Sequence, residues 1–147
     1  MDITVIGAGY VGQVVTACLA SFDHTVTVYD IDHDKLDSLE QGKPTIHEPG
    51  LESLVKQGRH EERLIPEADL SEATADADAV FLCVGTPPSE DGSVNLDYHF
   101  AAVDELKPFV DDTPVIIKST VPPGTADQTR QRLDTVVYNN PEFLKEG

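Results

Sequence analysis

The sequence predicts an α/β fold, a doubly wound parallel sheet of about six strands with helices on both faces, and three observations lead to it. Short β-branched runs alternate with helical patterns along the chain, as in strand–helix–strand units whose strands run parallel. One run, Val80-Phe81-Leu82-Cys83-Val84, is apolar without interruption, as a strand covered on both faces must be. Glycine and proline cluster just after the strands, at 7–12, 85–88 and 122–124, where this architecture carries its ligand loops.

Taken in order, strands are expected at 3–6, at 25–29, as a weak piece at 64–65, then at 79–84, 114–118 and 136–138. Helices are expected at 10–21, 34–41, 50–57, 96–110 and 125–133, with a short helical turn over 71–77 and a last helix that is trimmed. No internal repeat and no low-complexity linker interrupts the alternation.

At 147 residues and 16.0 kDa the chain is about one domain long. With 39% hydrophobic and 25% charged residues it has enough apolar surface to fold, which excludes a disordered tail. Ten basic against 27 acidic residues give a net charge of −17, which disfavours nucleic acid and anionic membrane surfaces as partners. The acids are scattered along the chain, which reads either as an ordinary solvated face or, more sharply, as halophilic adaptation to a salty cytoplasm where cations screen self-repulsion. No apolar run approaches the ~20 residues of a membrane span, and an acidic residue follows Met1 directly, so a cytoplasmic location is expected. Cys18 and Cys83 lie in apolar stretches and are read as reduced thiols, Cys83 as core; the five histidines show no metal-ligand spacing, and no metal is expected.

Gly7, Gly9 and Gly12 form G-x-G-x-x-G, a pattern that is weak alone but here follows the first strand, opens a helix, and precedes Asp30 at the end of the second strand. Gly7 permits the tight turn, Gly9 lets the main chain approach a diphosphate, and Gly12 lets the helix pack against the sheet. Because the protein is acidic, affinity for an anionic dinucleotide has to come from local amides at Tyr10, Val11 and Gly12, where the helix dipole adds about half a positive charge. Asp30 can accept from both ribose hydroxyls and repels a 2′-phosphate, so NAD is expected over NADP. Lys35, one turn beyond the Asp30, Asp32 and Asp34 cluster, reads equally as a solvated helix residue making local ion pairs or as a cation serving the adenosine ribose and phosphate region.

Further motifs go beyond a generic dinucleotide fold: Gly42-Lys43-Pro44 with Glu48-Pro49-Gly50-Leu51, Thr86-Pro87-Pro88 with Asp91-Gly92-Ser93, Lys118-Ser119-Thr120-Val121-Pro122-Pro123-Gly124-Thr125, and Asn140-Pro141-Glu142-Phe143-Leu144-Lys145-Glu146-Gly147. With Gly9-Tyr10-Val11-Gly12 they resemble the amino-terminal, NAD-binding domain of the UDP-glucose/GDP-mannose dehydrogenase family, over the span from Ile3 to Gly147. The Glu48 to Leu51 stretch tilts the resemblance toward the UDP-glucose members over the UDP-N-acetylmannosamine ones. One departure is Asp23-His24, where the family usually has Gly-His before the second strand; it touches turn geometry and leaves the chemistry alone.

The resemblance implies oxidation of a sugar C6 alcohol to a carboxylate with two NAD per turnover, through a thioester on a family cysteine that neither Cys18 nor Cys83 matches. It implies that the chain is the amino-terminal piece of a longer enzyme, inactive alone, with the central helix and the UDP-sugar domain outside it. The full-length enzyme is then expected to be a homodimer acting on a UDP-sugar, and the isolated chain a monomer or weak oligomer. By the same resemblance, Thr86 contacts the cofactor through its hydroxyl or amide, and Thr120 lies near the nicotinamide and helps place a catalytic water. Glu142 is the carboxylate that assists water attack on the thioester, with cofactor and substrate both in reach, and Phe143, Leu144 and Lys145 line the nucleotide sugar. Lys118 receives no role. The alternatives are GDP-mannose or UDP-N-acetylmannosamine oxidation and, in another class, a non-catalytic NAD-sensing module, which explains Gly7 to Asp30 but not Thr120 or the closing motif.

Overall fold

In the computed structural model, which describes residues 1–141, the β-branched runs become six parallel strands: β1 (Asp2–Ile6), β2 (Thr25–Tyr29), β3 (Leu64–Glu67), β4 (Ala79–Leu82), β5 (Val115–Ile117) and β6 (Val137–Asn139). Their order in the sheet is β3-β2-β1-β4-β5-β6. The chain therefore winds outward in one direction from β1 and, after β3, returns to build outward in the other from β4. The carboxyl ends of β1 and β4, paired from Ile3 with Ala79 to Ile6 with Leu82, mark the point where the order reverses.

Among the described residues six α-helices cover the two faces: α1 (Tyr10–Ser21), α2 (His33–Glu40), α3 (Leu51–His60), α4 (Leu70–Thr74), α5 (Asp97–Leu106) and α6 (Thr125–Leu133). The period of two along β1 divides the core, since Val5 packs with Ala17, Ala20, Leu39 and Val55 from α1, α2 and α3, while its neighbour Ile6 packs with Val103, Leu106 and Leu133 from α5 and α6. Val80 and Leu82 join the second cluster and Cys83 the first, so the apolar run is buried on both sides, and Cys83 lies in the core.

Several boundaries differ from the sequence reading, each for a physical reason. The expected strand at 79–84 ends at Leu82; Cys83 still donates to the Ile6 carbonyl at 2.8 Å, but the Val84 carbonyl is taken by the Ser119 hydroxyl at 2.6 Å instead of by a strand. The expected helix 96–110 stops at Leu106 and continues as a 3₁₀ turn, Lys107–Phe109, because Pro108 has no N–H to extend the ladder. The short helix begins earlier than expected, at Leu70, because Asp69 caps it by accepting from the amides of Ser71 at 2.8 Å and Glu72 at 3.3 Å. The last helix runs over 125–133 as read from the sequence. Pro66 is tolerated in β3 because that strand is an edge of the sheet.

Asp23 sits at φ +66 between α1 and β2, a left-handed conformation that glycine adopts freely, and its carboxylate is paired to Arg63. On the opposite side of the molecule His99 of α5 is fully buried against α6. The Thr129 hydroxyl gives its one proton to the Thr125 carbonyl at 2.9 Å, so His99 Nε2 donates to Thr129 Oγ1 at 2.9 Å and Nδ1 is left without a hydrogen-bond partner among the described residues. Burial, and secondarily the nearby Arg132 guanidinium, push the imidazole down to about 4.

Candidate dinucleotide site

The site is built where β1 turns into α1. Gly7, at φ +101, donates to the Tyr29 carbonyl at 2.7 Å and passes so close to the end of β4 that a Cβ there would lie 2.7 Å from the Cys83 carbonyl oxygen. A Cβ on Gly12 would lie 1.8 Å from the Gly7 carbonyl oxygen, so the first turn of α1 is pressed onto the turn itself. Gly9 differs from both, because a Cβ there would meet nothing within 4 Å. Two of the glycines are therefore demanded by the protein's own packing, while the third faces open space over the helix opening.

That opening suits an anion. Gly9 is the N-cap of α1 and supplies no side-chain acceptor, and no acidic residue lies in the first turn. The amides of Val11 and Gly12 point out of the helix end, where the dipole favours negative charge. The Tyr10 ring leaves this face and its hydroxyl donates to Glu48 in the connection between α2 and α3.

Asp30 lies immediately beyond β2 with its side chain 9% exposed. Its Oδ2 accepts from the Ala8 amide at 2.6 Å and its Oδ1 from the Asp32 amide at 2.8 Å, so the carboxylate that was read as a ribose acceptor is also tied to the glycine-rich turn. Lys35 lies 3.4 Å from that carboxylate and 3.7 Å from Asp32. It thus makes the local ion pairs of one expectation, one of them to Asp30 and one to Asp32. The negative charge of this end of the sheet is felt by the neighbouring Tyr29 hydroxyl, which burial first, then Glu105, Asp30 and Asp69, raise above its ordinary value. Side-chain charge does not attract an anion here, and the amides have to hold it.

On the far side of the switch point the loops after β4 and β5 are stitched together. The Thr86 hydroxyl donates to the Thr120 carbonyl at 3.0 Å, and the buried Ser119 hydroxyl bridges to Val84. Thr86 and Thr120 are thereby brought to the same edge as the glycine turn. Lys118, which the sequence left without a role, donates to Asn140 at 3.0 Å at the ends of β5 and β6. Glu142, Phe143, Leu144 and Lys145 lie outside the described residues. Cys83 is buried and Cys18 half-buried in α1, settings that suit packing better than a reactive thiolate.

Three participants, Gln13, Thr45 and Ser119, were not found from the sequence. Gln13 is 1% exposed and bonds both the turn and Thr45, and Ser119 anchors the β4 loop. A glutamine between Val11 and Val14-Val15 in the first helix was the available signal for the first; serine before threonine in a loop carries none.

These residues fit a bound dinucleotide: an uncapped helix opening, room above Gly9, and a nearly buried carboxylate at the tip of the next strand. Comparison with known proteins agrees. The family model described as the UDP-glucose/GDP-mannose dehydrogenase family, NAD binding domain, matches residues 1–147. The chain is similar to a UDP-glucose 6-dehydrogenase of Rhizobium meliloti, 44% identical over 156 residues, covering 100% of this chain and 36% of that protein. It is likewise similar to one of Pseudomonas aeruginosa, 40% identical over 159 residues, covering 100% and 35%. Among solved structures, a ternary complex of GDP-mannose dehydrogenase from Pseudomonas aeruginosa superposes with a TM-score of 0.90 at 37% identity, covering 99% of this chain and 37% of that one. The chain thus spans about a third of the length of the curated relatives it matches. With glycine turn, strand-tip carboxylate and family model in agreement from one end to the other, the chain belongs to the UDP-glucose/GDP-mannose dehydrogenase family, as its NAD-binding domain.

Proposed function

We propose that the chain binds NAD for a nucleotide-sugar 6-dehydrogenase that oxidises UDP-glucose to UDP-glucuronate with two NAD per turnover, the catalytic cysteine and the sugar-nucleotide domain being supplied outside these 147 residues. The observation that carries the reading is the cradle at α1, open above Gly9 and flanked by Asp30. When bound, NAD supplies the hydride acceptor. The residues of the chain do the rest: the amides of Tyr10, Val11 and Gly12 hold the diphosphate, Asp30 with Lys35 grips the adenosine ribose and excludes a 2′-phosphate, and Thr86 and Thr120 frame the nicotinamide end. Thr120 helps place the water that Glu142 activates, and Phe143, Leu144 and Lys145 line the sugar nucleotide. The whole enzyme is a cytoplasmic homodimer on this reading. Among the described residues no helix is long and apolar enough to cross a membrane.

A second reading, GDP-mannose oxidation, is favoured by the similarity at 37% identity to a GDP-mannose dehydrogenase. Steady-state oxidation by the full-length protein separates the two, with UDP-glucose expected to exceed GDP-mannose and UDP-N-acetylmannosamine in kcat/KM. The opposite order replaces the proposed substrate. NADH binding without turnover of any sugar nucleotide replaces the enzyme by an NAD-sensing module.

A further inference from the structure

Ala8, in the bend between Gly7 and Gly9, is fully buried, and side chains hold both polar groups of the residue. Its amide donates to Asp30 Oδ2 at 2.6 Å, and its carbonyl accepts from Gln13 Nε2 at 2.7 Å. The second proton on Gln13 Nε2 goes to Thr45 Oγ1 at 2.6 Å, and Gln13 Oε1 accepts from the Thr45 amide at 2.9 Å. These partners settle the orientation of the carboxamide, since the Ala8 carbonyl requires an N–H and the Thr45 amide requires an oxygen. One buried side chain on α1 therefore joins the glycine turn to the connection between α2 and α3, and Tyr10 ties the same connection to α1 again through Glu48.

We propose that Gln13 is a positioning residue of the dinucleotide site: it orients the Ala8 peptide, and through Thr45 it makes residues 43–48 a working part of the diphosphate-binding turn. The inference rests on the NAD reading above and deepens it. Gln13 and Asp30 grip the two polar groups of one residue, so the amides beyond Gly9 are aimed only while both bonds hold. A side chain without an N–H at position 13 leaves a buried carbonyl free to swing, and with it the peptide plane on which Gly9 hangs. The loss then falls on ligands that carry a diphosphate and spares one that has only the nucleoside.

The test compares Gln13→Met, close in volume and without polar hydrogen bonding, with the unsubstituted full chain. Two measurements are made: hydrogen–deuterium exchange without ligand, and Kd values for NADH, ADP-ribose and adenosine. Gln13→Met is expected to speed exchange in peptides covering 7–9 and 43–48 while leaving β4 and β5 unchanged. It is expected to raise the Kd of NADH and ADP-ribose about tenfold and that of adenosine less than twofold. Unchanged exchange in those peptides overturns the inference, as does an equal loss for adenosine and NADH, which marks a merely structural role. Should Gln13→Met not fold, Thr45→Val removes the hydroxyl acceptor and leaves α1 intact, with about a threefold rise in the NADH Kd expected and an unchanged Kd overturning the inference. If the unsubstituted chain binds no NADH, the dinucleotide reading fails, and the exchange data alone decide whether Gln13 locks the turn.

Discussion

The three glycines of the turn look alike in sequence, yet the structure predicts opposite consequences for two of them. At Gly12 an added methyl would stand 1.8 Å from the Gly7 carbonyl oxygen and 2.9 Å from its carbon. Carbon and oxygen meet comfortably near ~3.3 Å, so α1 must retreat by roughly 1.5 Å from a backbone that has no rotamer with which to yield. Overpacking of this kind costs about 3 kcal/mol, which lowers Tm by about 6–12 °C in a domain of this size. At Gly9 the same methyl meets nothing within 4 Å and the backbone, at φ −77, accepts alanine. Replacing glycine by alanine at an N-cap costs under ~1 kcal/mol, so Tm should fall by no more than about 4 °C. The methyl then occupies the approach of the diphosphate to the Val11 and Gly12 amides, and loss of one charged hydrogen bond, about 1.5–3 kcal/mol, weakens NADH by about tenfold to a hundredfold. Thermal denaturation followed by circular dichroism and NADH fluorescence titration read the two effects separately. If Gly9→Ala binds NADH like the unsubstituted chain, or if Gly12→Ala melts with it, the division of labour among the glycines is wrong.

Other perturbations probe other parts of the molecule. His99 titrates at about 4 when folded, below its ordinary 6.5, because burial disfavours the charged ring. The stability tied to its neutrality is complete above 6.5, is lost as pH falls from 6.5 to about 4, and is constant below; its full size is about 3 kcal/mol. Urea unfolding should show that slope, and His99→Leu should flatten it; an equal slope in both proteins refutes the assignment. Asp30→Asn removes the charge that repels a 2′-phosphate and should shift the NADPH/NADH affinity ratio at least about tenfold toward NADPH, with titration of the two cofactors as the check. Asp23→Gly relieves the left-handed backbone by about 1 kcal/mol and loses an exposed ion pair worth about 0–1 kcal/mol, so calorimetry should find Tm unchanged or slightly raised, and a fall of several degrees contradicts the turn argument. If the −17 charge is adaptation to salt, Tm should rise from low to molar KCl, and a flat profile removes that idea.

Much of this protein was legible in the chain because the relevant physics is local. Alternating β-branched and helical runs place strands at 25–29 and helices at 10–21 and 125–133 where the structure has them, since hydrophobic period and caps act over a few residues. The glycine spacing marked the turn, and Asp30 marked an acid at the end of the next strand, for the same reason. Element ends decided by a distant partner were not legible, and β4 stops two residues early because Ser119, 35 residues away, takes the Val84 carbonyl.

What the sequence by itself determined is the winding of the fold and the kind of ligand it addresses, because both follow from periodicity and from glycines at set intervals beside a strand. Only the tertiary structure decided that Asp30 accepts from the Ala8 amide of the turn and that Gln13 reaches across 32 residues to Thr45. Those are contacts between groups far apart along the chain. Their geometry is set by how closely α1 docks on the sheet, a distance that no local pattern encodes.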